Sequence, residues 1–267
     1  MYEGTVIASK SANSYAGAFL YWRAGTYNMD AFTESNPKPR TPFVGNRKPL
    51  VWLAYPGEKP LINLTASYIS IYAGGSNTYF DGLTFNDNNI RGMGVQIGSS
   101  ADNVTFRRNK MYGITTAVGG SNGGHIVISR DGKVGQNWSI QDNDLSDVKS
   151  NGYGVLAYNV GNVLVENNTL YNIAGHPIGP KAGTRMWFIR ANTMYNNPTD
   201  SIGLQYWNAA GEQAGNIEIS FNLVQTGGGK LRINSNKSDI GLPVYIFRNT
   251  FMDEVQVLRA TSTNGSF

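Results

Sequence analysis

The sequence predicts an all-β fold in which a single strand winds repeatedly into a parallel β-helix, a solenoid of stacked coils. Three observations carry that reading. Seven segments share one alternating pattern of apolar residues, an asparagine stands at the same place in six of them, and a second short alternating run follows six of the seven. Alternation with period two marks strands, and recurrence of the whole unit at a near-constant interval marks coils rather than scattered loops.

The segments are TYFDGLTF (78–85), VTFRRNKM (104–111), WSIQDNDL (138–145), VLVENNTL (163–170), WFIRANTM (187–194), IEISFNLV (217–224) and VYIFRNTF (244–251). Aligned, they give three apolar columns. The first runs from Thr78 through Val104, Trp138, Val163, Trp187 and Ile217 to Val244, so both tryptophans read as core. The second runs from Phe80 through Phe106, Ile140, Val165, Ile189 and Ile219 to Ile246. The third runs from Phe85 through Met111, Leu145, Leu170, Met194 and Val224 to Phe251. Between the second and third stand Asn109, Asn143, Asn168, Asn192, Asn222 and Asn249, with Leu83 in the first segment. A stacked asparagine at a bend can bond the asparagine of the next coil, and it tolerates the left-handed backbone of a turn.

The second runs are GVQIG (94–98), HIVIS (125–129), GVLAY (154–158), PIGPK (177–181), SIGLQ (201–205) and KLRIN (230–234). Both kinds of strand recur in one order, so equivalent strands are expected to stack in parallel roughly 4.8 Å apart. Crossovers of this type are right-handed. The prediction is a single domain over 1–267, with N-terminal coils over 1–76, regular coils over 77–255 and an incomplete coil over 256–267, seven coils or more in all. The abrupt start and the coil-like end without an amphipathic cap predict a piece of a longer protein.

An aromatic content of 12% and a net charge of only +4 exclude disorder. The absence of cysteine excludes a disulfide scaffold, a thiolate metal site and a cysteine nucleophile. No stretch approaches the roughly 18 to 20 apolar residues of a membrane helix, and no basic region precedes the apolar run at 16–22 as it would in a signal peptide. An isoelectric point near 9.1 favours anionic partners. The basic residues are scattered singly, which argues against a nucleic-acid arm and leaves acidic polymers. No segment marks an oligomer interface.

On these repeats the chain resembles, over nearly its whole length, the right-handed parallel β-helix family of pectate, alginate and chondroitin lyases, polygalacturonases and phage tailspike depolymerases. WRAGTYN (22–28) and PLVWLAYPGEKPLIN (49–63) resemble the first coils of the alginate and chondroitin lyase group. Ile178-Gly179-Pro180-Lys181-Ala182, followed by Asn192-Thr193-Met194, resembles the strand that carries that group's catalytic lysine. The resemblance implies a carbohydrate-active enzyme that is extracellular, on a cell surface or on a virion. Where the group has an arginine one coil later, this chain has Gln205. Where it has a calcium-binding acidic pair one coil earlier, this chain has Leu156 and Tyr158.

A β-helix has no cleft of its own, so chemistry is expected along an outward row walled by long turns. Successive ladder positions lie 26, 34, 25, 24, 30 and 27 residues apart. The two expanded coils contain the loops around GGSNGG (119–124), RDGKVGQ (130–136) and YWNAAGEQAG (206–215), which bracket the second runs between them. Alternation turns Val155, Ala157, Ile178, Pro180, Ile202 and Leu204 inward. It lines up Ser129, Tyr158, Lys181, Gln205 and Asn234 outward, beside a second row of Val127, Leu156, Gly179, Gly203 and Arg232. The two glycines are expected to leave the surface beside the lysine open.

Such a row suits β-elimination on a uronic-acid polymer, which needs a base for the C5 proton, an acid for the leaving oxygen and a partner for the carboxylate. Lys181 is the expected base and Tyr158 the acid, with Arg232, Gln205 and Asn234 on the carboxylate. A working lysine must titrate roughly 3 units below its usual value, which desolvation and nearby cations such as Arg185 or Arg232 would favour. His176, inward by parity, reads first as a hydrogen-bonded turn histidine and second as a catalytic group. Arg130 and Arg185 complete the basic substrate-binding set, and Tyr206, Trp207 and Trp22 are expected to stack on sugars. Asp142, Asp144 and Glu166 read first as solvated turn carboxylates and second as a Ca2+ site. Hydrolysis needs two convergent carboxylates, whereas the outward row has none and only Asp131 and Glu212 lie in neighbouring loops. The alternatives are a glycan-binding or hydrolytic tailspike or fibre module, and an epimerase that uses the same proton abstraction.

Overall fold

The computed structural model describes residues 19–28, 50–64, 69–71, 77–87, 93–97, 102–115, 123–128, 135–149, 152–206, 215–225, 230–235 and 243–252. Among them there is no helix, and every strand pairing is parallel. The strands form three sheets, two of nine strands and one of seven, and each sheet takes one strand from successive coils. The first sheet runs from Phe19–Trp22 to Val244–Phe247 and the second from Gly25–Asn28 to Thr250–Phe251. This is the parallel β-helix that the repeats predict, with nine rungs in each of the two long sheets.

Among the described residues seven of the nine coils carry three strands rather than two, because each repeated segment breaks at its ladder position. Val160–Glu166 and Thr169–Ile173, for example, belong to different sheets on either side of Asn168. From Phe80 to Val224 the apolar residues of all three columns point into a common interior, whereas in the last rung Val244 and Phe251 are partly buried and Ile246 is exposed. Trp138 and Trp187 are buried there, and the Trp187 Nε1 donates to the Val160 carbonyl at 3.0 Å. Trp22, expected on the surface, is a correction: it is 4% exposed, with its ring 4.6 Å from Trp52 and 4.8 Å from Tyr27. Alternation within Phe19–Trp22 buries Trp22, because Leu20 and Trp22 fall on the core side of the first rung.

The asparagine ladder is complete. The Asn143 N–H and Nδ2 both donate to Asn168 Oδ1 at 2.9 Å, and the same pair of bonds links Asn109 to Asn143, Asn168 to Asn192, Asn192 to Asn222 and Asn222 to Asn249. The Leu83 N–H donates to Asn109 Oδ1 at its head. The remaining Nδ2 hydrogen of each asparagine reaches a carbonyl of the preceding coil, as from Asn168 to Ile140 at 2.8 Å. A side-chain amide thus satisfies buried backbone at a corner where no strand can.

The left-handed backbone does not fall on the ladder asparagine. It falls on the residue before it: Gly82, Arg108, Asp142, Asn167, Ala191, Phe221 and Arg248 all have φ between 53° and 73°. The ladder residue is held by its hydrogen bonds, and the turn geometry is borne by an exposed or half-exposed neighbour of varied type. A second, exposed ladder at Asn77, Asn103, Asn137 and Asn162 does combine both properties, with φ near 60° at each and amide bonds of 2.6 to 3.0 Å between them.

The third sheet comprises Ile69–Ile71, Met93–Ile97, Gly124–Ile128, Tyr153–Tyr158, Ile178–Lys181, Asp200–Tyr206 and Lys230–Ser235. At its entrance two successive positions face inward. A Cβ at Gly154 would lie 2.6 Å from the Pro177 carbonyl and about 3 Å from Leu170 and Ile173, and Val155 is also in the core. The equivalent position one coil earlier holds His125, wholly buried. Its Nδ1 lies 2.5 Å from Asp87 Oδ2 and its Nε2 lies 2.7 Å from the Ser146 carbonyl. A carbonyl only accepts, so Nε2 carries a hydrogen and one further proton is shared between Nδ1 and the carboxylate. Burial raises the Asp87 pKa, and the histidine opposes that rise.

Candidate active site

The outer face of the third sheet brings the central residues of the expected site together. Tyr158 stands opposite Lys181 and Lys181 opposite Gln205, with Gln205 opposite Asn234 one coil further on. The adjacent row places Val127, Leu156 and Gly179 side by side, and Gly203 beside Arg232. Alternation from the buried Ala157, Ile178 and Leu204 therefore carries Lys181 to the outside, as the sequence predicts.

Outside does not mean exposed. Lys181 is only 5% exposed, and its Nζ lies 4.5 Å from the centroid of the Tyr153 ring and 5.7 Å from that of Tyr158. Among the described residues it forms no ion pair and donates no hydrogen bond to a side-chain acceptor. Burial pushes its pKa down from 10.5 to about 8. The shift has the direction and nearly the size that a base requires, but its cause is desolvation, without the neighbouring cation that the sequence reading invoked.

Tyr153 is the residue that the sequence reading missed. Counted back from Val155, strict alternation would turn it inward, but the doubled inward positions at Gly154 and Val155 return it to the outer face. There it packs with Val127 and Leu156, buried although they face away from the main core, and with Tyr158. Its ring sits on Gly179, where a Cβ would come within 2.7 Å of Cδ1 and Cε1. Burial first, and then Tyr158, raise its phenol pKa, while Arg232 opposes the rise. The phenol therefore stays protonated throughout the neutral range, and Arg232 lies within electrostatic reach of it. Gly179 and Gly203, which leave room for a ring from the preceding coil, were the signal available in the sequence.

His176 is a correction of the same kind. It is half-buried and not inward: its ring covers Gly203, where a Cβ would lie 2.8 Å from Nδ1, and stands 5.4 Å from the Tyr153 ring. The glycines at 179 and 203 therefore do not open the surface; each seats an aromatic ring from the preceding coil. Arg185 is also displaced from the expected site. It begins the first-sheet strand Arg185–Arg190, opposite Gly161 and Gly215, past the bend that follows Lys181. Tyr206 ends its strand opposite Ser235. Arg130, Trp207, Ser129 and the expanded loops around them lie outside the described residues, as do Asp131 and Glu212.

The carboxylates considered for calcium stand away from this face and are engaged with cations. Asp142 pairs with Arg107 at 3.2 Å, Asp144 with Lys110 at 3.7 Å, and Glu166 with Arg190 at 3.4 Å. A hydrogen bond from Asn167, at 2.7 Å, is the first cause of the lowered Asp142 pKa. Among the described residues no three His, Cys, Asp or Glu side chains gather as a metal site.

Fold and face together define a parallel β-helix with a nearly buried lysine on the outer face of its third sheet. Neither a family model nor a curated protein matches the chain. Among solved structures it is similar to the Azotobacter vinelandii mannuronan C-5 epimerase AlgE6 A-module, at 13% identity and a TM-score of 0.36, over 98% of this chain and 94% of that one. It is similar to a rhamnogalacturonan lyase at 13% identity and a TM-score of 0.36, over 91% of this chain and 82% of that one. A periplasmic alginate epimerase, AlgG, is similar at 12% identity and a TM-score of 0.33, over 86% of this chain and 62% of that one. These likenesses concern the fold alone.

Proposed function

We propose that the protein is a polysaccharide lyase that cleaves an anionic, uronic-acid-containing polymer by β-elimination, with Lys181 as the base. One observation carries the reading: a lysine on an outer strand face is nearly removed from water, without a carboxylate partner among the described residues, and that burial pushes its pKa down to about 8. A buried cation with no counterion costs stability, and such groups concentrate at functional sites.

In the step proposed, neutral Nζ takes the C5 proton, and the released electron pair forms the C4–C5 double bond as the C4–O bond breaks. The leaving oxygen takes a proton from the Tyr158 hydroxyl, on the neighbouring strand. Arg232, one row across, neutralises the charge that builds on the carboxylate during proton removal. A substrate of this kind implies an extracellular or cell-surface setting.

The test is incubation with alginate, pectate, glycosaminoglycan and bacterial capsule in turn. Ultraviolet absorbance of an unsaturated uronate, lost in Lys181→Met, is the expected result. New reducing ends without that absorbance would establish hydrolysis instead, binding without either signal would establish a fibre module, and solvent deuterium at C5 without cleavage would establish epimerisation. Chelation in the same assay tests the calcium expectation, since a rate lost with chelator and restored by Ca2+ would support it.

A further inference from the structure

We infer that Tyr153 is a positioning residue for Lys181: its ring, seated on Gly179, holds the lysine arm against the sheet and keeps water from Nζ. The inference rests on the proposed role of Lys181 but concerns a residue that the elimination step does not use.

Three features of the structure converge on it. The ring is 4% exposed and presents its face to Nζ at 4.5 Å, closer than Tyr158 at 5.7 Å. Its seat is specific, because Gly179 is the residue immediately across from Leu156, and any side chain there would meet the ring at 2.7 Å. The His176 ring, itself seated on Gly203, stands 5.4 Å from the Tyr153 ring. The two aromatic-on-glycine contacts, one coil apart, form a wall along the entrance edge of the face.

The ring acts on Lys181 in two opposing ways. Its π-face attracts the ammonium and favours the charged form. Its bulk excludes water and favours the neutral amine. Lys181 is only 5% exposed and burial is the cause of its lowered pKa, so the part of that cover supplied by the ring works toward the neutral amine. Removing the ring is therefore expected to raise the proton affinity of Lys181, whereas removing only the phenol oxygen is not.

The experiment measures the pH dependence of Lys181 acylation by a water-soluble anhydride in the intact protein, read by mass spectrometry of the peptide that contains it. Tyr153→Phe is expected to keep the wild-type midpoint. Tyr153→Ala, and Gly179→Ala, which displaces the ring without deleting it, are each expected to raise the midpoint by about one unit, a roughly fivefold loss of neutral amine at about pH 8. A midpoint unchanged or lowered in both would overturn the inference, as would a raised one in Tyr153→Phe.

If the two ring-displacing variants do not fold, the wild-type protein decides. The Lys181 side-chain protons nearest Nζ should show an upfield ring-current shift in the NMR spectrum that is retained in Tyr153→Phe, and its absence would overturn the inference. Labelling and ring current are independent of catalysis. A raised midpoint with no elimination on any polymer would sink the lyase reading and leave this one standing.

Discussion

Burial lowers the proton affinity of an amine because the ammonium loses its hydration, and Lys181 loses it on a face where alternation alone would leave it in water. The sign of the consequence for stability follows. The folded-state pKa, about 8, lies below the ordinary 10.5, so the unfolded chain binds more protons between those values. Stability should therefore rise as pH increases from about 8 to 10.5, and below pH 8 the full cost of burying the charge is present. Lys181→Met is expected to stabilise the fold at neutral pH by something on the order of 1 to 3 kcal/mol and to flatten that rise, as read by denaturant melts across pH. A variant as stable as, or less stable than, wild type at pH 7 would mean that the amine is better solvated than the structure shows. Lys181, Tyr158, Gln205, Asn234 and Arg232 were legible as neighbours because period-two alternation and the repeat interval fix their columns. The burial of Lys181 was not legible, because it depends on Tyr153, whose side is set by a doubled inward step that alternation does not encode.

At the scale of the coil, the asparagine at each corner does what neither strand can. Asn168 accepts two bonds from Asn143 and donates to Asn192 and to the Ile140 carbonyl, so its removal strands several buried groups at once. Asn168→Ala is expected to cost about 2 to 5 kcal/mol. Asn249→Ala, at the half-buried end of the ladder, should cost less than half as much, and equal losses in urea melts would show that the ladder is not cooperative in burial. The ladder was readable because six of seven repeats carry the same residue. The division into three strands was less so: the asparagine reads as a bend within one alternating segment, and the strand pairing shows that the two sides of that bend belong to different sheets. The left-handed positions were assigned one residue late for a related reason. Arginine, alanine and phenylalanine occupy four of the seven, against glycine, aspartate and asparagine at the other three, so residue type does not mark the column.

Across the whole molecule, the stack converts sequence separation into contact, and it also buries one titratable pair on the inner side of the third sheet. His125 and Asp87 hold one shared proton, which His125→Ala would leave to the carboxylate alone. Burial raises the Asp87 pKa and the histidine opposes it, so without the ring the folded state binds a proton that the unfolded state has already released. Stability of His125→Ala should then be greatest in mild acid and fall as pH rises toward neutrality, with a loss of roughly 3 to 5 kcal/mol at pH 7. A pH-independent loss would mean that packing alone is at stake. The most direct test of the central claim is an NMR titration of the Lys181 Nζ in the wild-type protein, assigned by its disappearance in Lys181→Met. The expected midpoint is about 8, where a general base would have it. A midpoint near 10.5 would contradict both the burial of the amine and the chemistry built on it.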